Sequence, residues 1–173
     1  MATTIQGGEW IIKEVKSEDV FIPEEFNEEQ LMVRDMCSQF LDTEVLPVAE
    51  RMDKLEPGLM PGLLEKAGEQ GLLGVSVPEQ YGGMDLDIFY TVIFLEELQK
   101  INSGGFAAAM WAHAFLAMQH LNAEGDDRIK KEYLQPSIEG KKIGCLCITE
   151  PFAGSDVAGM RTTATKTDDG YVL

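Results

Sequence analysis

A chain of 173 residues with 45% apolar and 25% charged residues has the composition of a folded globular protein, with room for one domain and part of another. Thirty acidic residues against fourteen basic ones leave a formal net charge of -16, which repels phosphodiester backbones and anionic lipid heads, so nucleic acid and membrane surfaces are not expected as partners. Any anionic nucleotide ligand must then be held by local donors.

The N-terminal MATTIQGGEW lacks the basic and apolar regions of a signal peptide, which points to the cytoplasm. Residues 1–26, including a β-like EWIIKEV, keep no sustained period and read as an arm. Asn27 followed by Gln30 has capping-box spacing, and Leu31, Val33, Met36, Phe40, Leu41 and Val45 recur at three- and four-residue steps. This predicts a long amphipathic helix, kinked at Pro47 and ended near Pro57 and Gly58. A second helix is expected over 61–70, with Gly71 at its end. LLGVSVPEQYGG then reads as an extended segment and a tight loop whose glycines, Gly82 and Gly83, can take positive φ. Asp85 or Asp87 caps a third helix through Ile88, Phe89, Val92, Ile93 and Leu95 to Lys100.

Asn102, Ser103 and Gly104 break the chain again before FAAAMWAHAFLAMQHL, which is apolar all round and so is expected to be a central helix packed on several sides. Residues 106–121 carry His113, Gln119 and His120 and are short for a membrane span, so a buried core helix is the reading. After Gly125, DDRIKKEYLQ forms a further helix that Pro136 closes.

The pattern changes at Gly140. KKIGCLCIT is apolar on both alternating faces, as in a strand buried on both sides; MRTTATKT alternates, DDG is a turn, and YVL starts another strand. The fold class is therefore mainly α, with an N-terminal helical bundle over 27–142 followed by the start of a β domain over 143–173. Two strands cannot bury their own faces, so the second domain is expected to be incomplete. Cys145 and Cys147 lie two apart, where a mutual disulfide is sterically poor, and the three cysteines read as reduced and intracellular. His113 and His120 are the only histidines and no Cys/His spacing suits a metal, so none is expected.

CITEPFAGSD, residues 147–156, is the candidate site. Thr149 puts a hydroxyl at the strand end, Pro151 keeps its predecessor extended, and Ala153, Gly154 and Ser155 keep bulk minimal. A planar ring or a phosphate could lie on such backbone, with N–H groups and the Ser155 hydroxyl as donors. The same residue types also make plain strand-to-loop turns, and the residues alone leave both readings open. Neither a G-x-G-x-x-G nor a P-loop motif is present.

ITEPFAGSDVAGM resembles the signature of the acyl-CoA dehydrogenases, flavoenzymes that oxidise fatty acyl-CoA thioesters in β-oxidation. VPEQYGGMDLD with FLEELQK, and KKEYLQPSIEGKKIG, resemble other segments of the family in order and spacing. The resemblance covers about residues 28–173, with Phe152 standing where many members carry a smaller or polar residue. It implies an N-terminal helical domain over 27–142 and the opening of a middle β-barrel domain over 143–173, with FAD as cofactor. Carried over by position, Leu146, Ile148 and Thr149 would contact the isoalloxazine, and Ser155 the FAD pyrophosphate or the acyl-CoA substrate. Ala109, Ala112 and Leu116 match positions that line the acyl cavity, although helix packing also accounts for the alanines. The arm is similar to that of long-chain members.

The family's base is a glutamate of a C-terminal domain, so no catalytic residue is assigned, and Glu150 reads as a turn carboxylate. An electron-transfer protein as acceptor and a homo-oligomer, dimer or tetramer, are further implications. The contrasting function is a non-catalytic helical interaction or structural module. If the family reading holds, the sequence after Leu173 continues into residues like NG-x-K-x-x-I-T-N, and the chain alone is inactive.

Overall fold

The structure, a computed structural model, describes residues 8–16, 19–20 and 25–173. Half of the arm expected over 1–26 lies outside them. Its longest described part, residues 8–16, holds a single helical turn, α1 (Glu9–Ile12), with a Glu9–Lys13 ion pair one turn apart. EWIIKEV is therefore not β-like: a local i, i+4 pair organises it, and Ile11 and Ile12 remain exposed.

Helix α2 (28–53) begins with both bonds of the capping box: the Gln30 amide donates to the Asn27 side-chain oxygen (2.9 Å) and the Asn27 amide to that of Gln30 (3.0 Å). Of the predicted stripe Val33, Phe40, Leu41 and Val45 are buried and Leu31 and Met36 half-buried, while Gln30, Cys37 and Met52 are buried as well. The helix widens to π geometry over Leu41–Val45 and tightens to 3₁₀ over Leu46–Val48, so the missing amide of Pro47 is met by a change of pitch. Leu55 and Gly58, both at positive φ, end it.

Helix α3 (Leu59–Glu69) starts two residues ahead of Pro61 and buries Leu63, Leu64 and Ala67. The following segment is not extended as expected. It folds through successive turns, and the amides of Met84, Leu86 and Asp85 donate to the carbonyls of Gly74, Val75 and Val77. Gly82 supplies the positive φ of 89°. Asp87, not Asp85, caps helix α4 (Ile88–Gln99), accepting from the Phe89 amide at 2.9 Å. Asn102 then turns in the left-handed region before helix α5 (104–124), whose middle, Trp111–Ala117, is a wide π turn.

Helix α5 is not enclosed on every side: Ala108 and Trp111 are exposed, because α4 and α2 cover only one flank of it. Helix α6 (127–138) is capped by the Asp126 carboxylate on the Ile129 amide. Pro136 does not close this helix, which runs on to Ile138. The π turn Lys130–Leu134 precedes the proline, and the Glu132 carbonyl that a residue-136 amide would have met accepts from the Lys142 ammonium at 2.9 Å.

The core lies between α2, α3, α4 and the first half of α5, where Phe40, Leu64, Phe94, Leu98, Phe106 and Met110 are closed to solvent. Phe94 and Phe115 meet edge to face at 5.7 Å. A second cluster of Val77, Tyr81, Met118, Leu134 and Ile138 ties α6 to α5 and to the 74–86 loop, helped by a Tyr81–Asp127 hydrogen bond.

Beyond residue 140 the only ladder among the described residues is a hairpin of β1 (Thr165–Thr167) and β2 (Gly170–Val172), antiparallel in the register Thr165 with Val172 and Thr167 with Gly170. The molecule is thus mainly helical with a small β element at its C-terminal end. KKIGCLCIT does not form the doubly buried strand expected of it. No described strand lies beside it, and its burial alternates, with Gly144, Leu146, Ile148 and Glu150 half-buried and Ile143, Cys145, Cys147 and Thr149 exposed. Among the described residues no helix is long and apolar enough to cross a membrane.

Candidate functional site

The site is built around residues 144–155, which α5 and α6 position from one side. His113, in the π turn of α5, accepts the Gly144 amide at Nδ1 (3.0 Å), while Nε2 lies 3.0 Å from the Ser137 carbonyl oxygen at the end of α6. Just beyond, Leu146 lines a cleft of about 380 Å³ with Ala117, Leu121 and Ile129. Among the described residues, no backbone group bonds to the amides or carbonyls of residues 145–149. None of these five residues is buried, so their backbone groups stay open to solvent or to a ligand.

A tight turn follows. Glu150 and Ala153 exchange backbone bonds of 2.8 and 3.3 Å around Pro151 and Phe152. The Glu150 carboxylate reaches forward to accept the amides of Arg161 (2.8 Å) and Thr162 (3.0 Å). The Thr162 hydroxyl first, and then these two amides, hold its carboxyl below the usual carboxylate range. The Arg161 guanidinium covers the exposed Phe152 ring at 4.9 Å, where a smaller residue would leave it free. Ala153 is buried, whereas Gly154 and Ser155 are exposed, and the space above Gly154 is open.

The sequence model of the acyl-CoA dehydrogenase N-terminal domain matches residues 27–141. The chain belongs to the acyl-CoA dehydrogenase family. A probable acyl-CoA dehydrogenase of Bacillus subtilis is 34% identical over 97% of the chain, and the mitochondrial isovaleryl-CoA dehydrogenase of Arabidopsis thaliana 38% identical over 86%. The crystal structure of the Bacillus anthracis acyl-CoA dehydrogenase complexed with FAD superposes with a TM-score of 0.86 at 36% identity, covering 97% of the chain. The chain spans 28%, 36% and 29% of the lengths of these three proteins.

In this chain the predicted site residues fall into two groups. Leu146, Ile148, Thr149 and Ser155 follow one another along the 145–155 stretch, the first two half-buried and the last two exposed. Ala109, Ala112 and Leu116 are all half-buried, at spacings of three and four along α5. The cleft brings Leu146 against the C-terminal half of α5, at Ala117 and Leu121.

Sequence reasoning missed two tethers of this stretch, the His113 bond to Gly144 and the Glu150 grip on Arg161 and Thr162. A polar residue inside an apolar helix was the available signal for His113, but its partners lie 24 and 31 positions away. Elsewhere, Glu97 is buried with one oxygen on Lys100 (2.6 Å) and the other unpartnered, and burial with the Glu97 charge pushes the Cys37 thiol up to about 12. Cys37 is therefore inert at neutral pH. No group of His, Cys, Asp and Glu among the described residues could hold a metal ion.

Proposed function

We propose that these residues are the N-terminal portion of a FAD-dependent acyl-CoA dehydrogenase, which oxidises a fatty acyl-CoA thioester to the trans-2-enoyl-CoA and passes electrons to an electron-transfer protein. The observation that carries this reading is the stretch 145–149, with backbone donors and acceptors that no other backbone group satisfies, running into a turn with open space at Gly154. A flat heteroaromatic ring with donors and acceptors along its edge fits such a ledge, and a phosphate fits the small residues after the turn. Leu146 and Ile148 would meet the isoalloxazine through their backbone, Thr149 through its hydroxyl as well, and Ser155 would reach the pyrophosphate or the substrate. A flavin bound there supplies the acceptor for the hydride that leaves the acyl β-carbon.

The chain's own part is binding and orientation. Glu150 is unsuited to take the α-proton, since its carboxylate is engaged by two amides and held below the range where a base at neutral pH works well. The base is proposed to lie outside residues 1–173, so the chain alone is inactive. Ala109, Ala112 and Leu116, half-buried along α5, are proposed to leave room for a long or bulky acyl chain. In this reading residues 27–142 are the helical domain and 143–173 the opening of a middle β-barrel domain, in a cytoplasmic homo-oligomer.

The test is anaerobic addition of acyl-CoA thioesters to the purified gene product, followed by flavin absorbance. Bleaching of the flavin band by long-chain thioesters is the expected result. A colourless protein that takes up no FAD would leave the helical interaction module as the function, and a preference for short thioesters would overturn the assignment of the α5 stripe.

A further inference from the structure

The proposed function leaves one buried titratable side chain without a task. His113 is 1% exposed, and both ring nitrogens are engaged. A carbonyl only accepts and an amide N–H only donates, so Nε2 carries the hydrogen toward Ser137 and Nδ1 is the bare acceptor for Gly144. The ring is thus neutral, the form that burial favours. The Ser137 carbonyl also accepts from the Gly140 amide at 2.9 Å, which makes the 136–140 turn a fixed anchor for the imidazole. At the other end Gly144 approaches α5 so closely that a Cβ there would stand 3.1 Å from that of Ala117.

Immediately after Gly144 the chain enters 145–149, which no backbone ladder holds. Successive side chains there alternate in burial, so fixing one residue fixes the parity of those that follow. With Gly144 held against α5, Leu146 and Ile148 are half-buried, and Cys145, Cys147 and Thr149 point outward. The two side chains that grip backbone amides around the stretch are His113 before it and Glu150 after it.

We infer that His113 is a positioning residue: by accepting the Gly144 amide hydrogen it sets the depth and parity at which Leu146, Ile148 and Thr149 face a flavin. This rests on the reading of 145–149 as the flavin ledge. The bond to Ser137 serves only to orient the ring, and the bond to Gly144 is the one that acts on the ledge.

Two substitutions separate these bonds. The amide oxygen of His113→Asn can replace Nδ1 as acceptor for Gly144, whereas the amide nitrogen of His113→Gln can replace Nε2 as donor to Ser137. Both are examined in the purified gene product by FAD titration, by the position of the bound flavin's absorption bands, and by amide hydrogen exchange. H113Q should weaken FAD binding about tenfold, the worth of one buried hydrogen bond, and H113N should stay within about threefold of the wild type. H113Q should also shift the flavin bands and speed exchange at the Gly144 amide, with H113N close to wild type in both. Equal behaviour of the two variants, or a greater loss in H113N, would overturn the assignment. If the wild type itself takes up no FAD, the flavin reading fails, and exchange of the Gly144 amide still decides whether His113 holds it.

Discussion

Phe94 in the helical part touches no solvent, whereas Tyr171 in the C-terminal hairpin is 68% exposed, and the contrast holds across the molecule. Over residues 28–140 the elements are joined by apolar side chains in two clusters. Beyond residue 143, Ala153 is the one buried residue among those described. There the chain is held by single bonds from side chain to backbone, by the Glu150–Ala153 turn and by one short hairpin. Apolar burial is shared among many contacts and gives cooperative unfolding, while isolated bonds open one at a time. The candidate binding residues 146–155 belong to the second kind, where backbone groups remain available to a ligand.

The largest expected effect comes from breaking the shared core. Phe94→Ala removes a buried ring that packs on Phe115 and should cost about 3–5 kcal/mol, read from the urea midpoint of the helical far-ultraviolet signal. A loss under about 1 kcal/mol would mean that the helical part is not held by this cluster.

A smaller, local effect should follow pH. The buried His113 ring resists a proton that the unfolded ring accepts, so its stabilisation is complete above about pH 6.5 and is lost as pH falls below that value. Glu150, held low by Thr162 and Arg161, contributes fully above about pH 4.3 and loses its contribution as pH drops further. Exchange at the Gly144 amide, corrected for intrinsic rates, should therefore rise in the first window and exchange at Arg161 and Thr162 in the second. Glu150→Gln should reproduce the second change at neutral pH and leave the helical midpoint unmoved. Loosening of both segments in one step, together with the helices, would erase the distinction between the two regions.

What could be read from residue order was local. Asn27 with Gln30, the apolar stripe of α2 and the Asp87 cap each act within four positions, and each stands in the structure. Pro136 misled because its helix survives through a π turn before it and a lysine six residues after it, neither of which has a local signature. The apolar character of KKIGCLCIT pointed to two covered faces, yet within this structure α5 and α6 cover one side of it in part. The candidate site was suggested only by the resemblance of ITEPFAGSD to a known signature, because glycine, serine and aspartate alone also suit an ordinary turn. Its tethers were not legible, since His113 meets Gly144 only after α5 and α6 have packed.

The central claim is that residues 145–155 form a flavin ledge attached to a self-sufficient helical core. Hydrogen exchange of the purified protein with and without FAD tests it directly. The account predicts slowed exchange at 145–149 and at Gly154 and Ser155 when FAD is present, with α2 and α4 unchanged. Protection elsewhere with these residues unaffected, or no protection at saturating FAD, would contradict it.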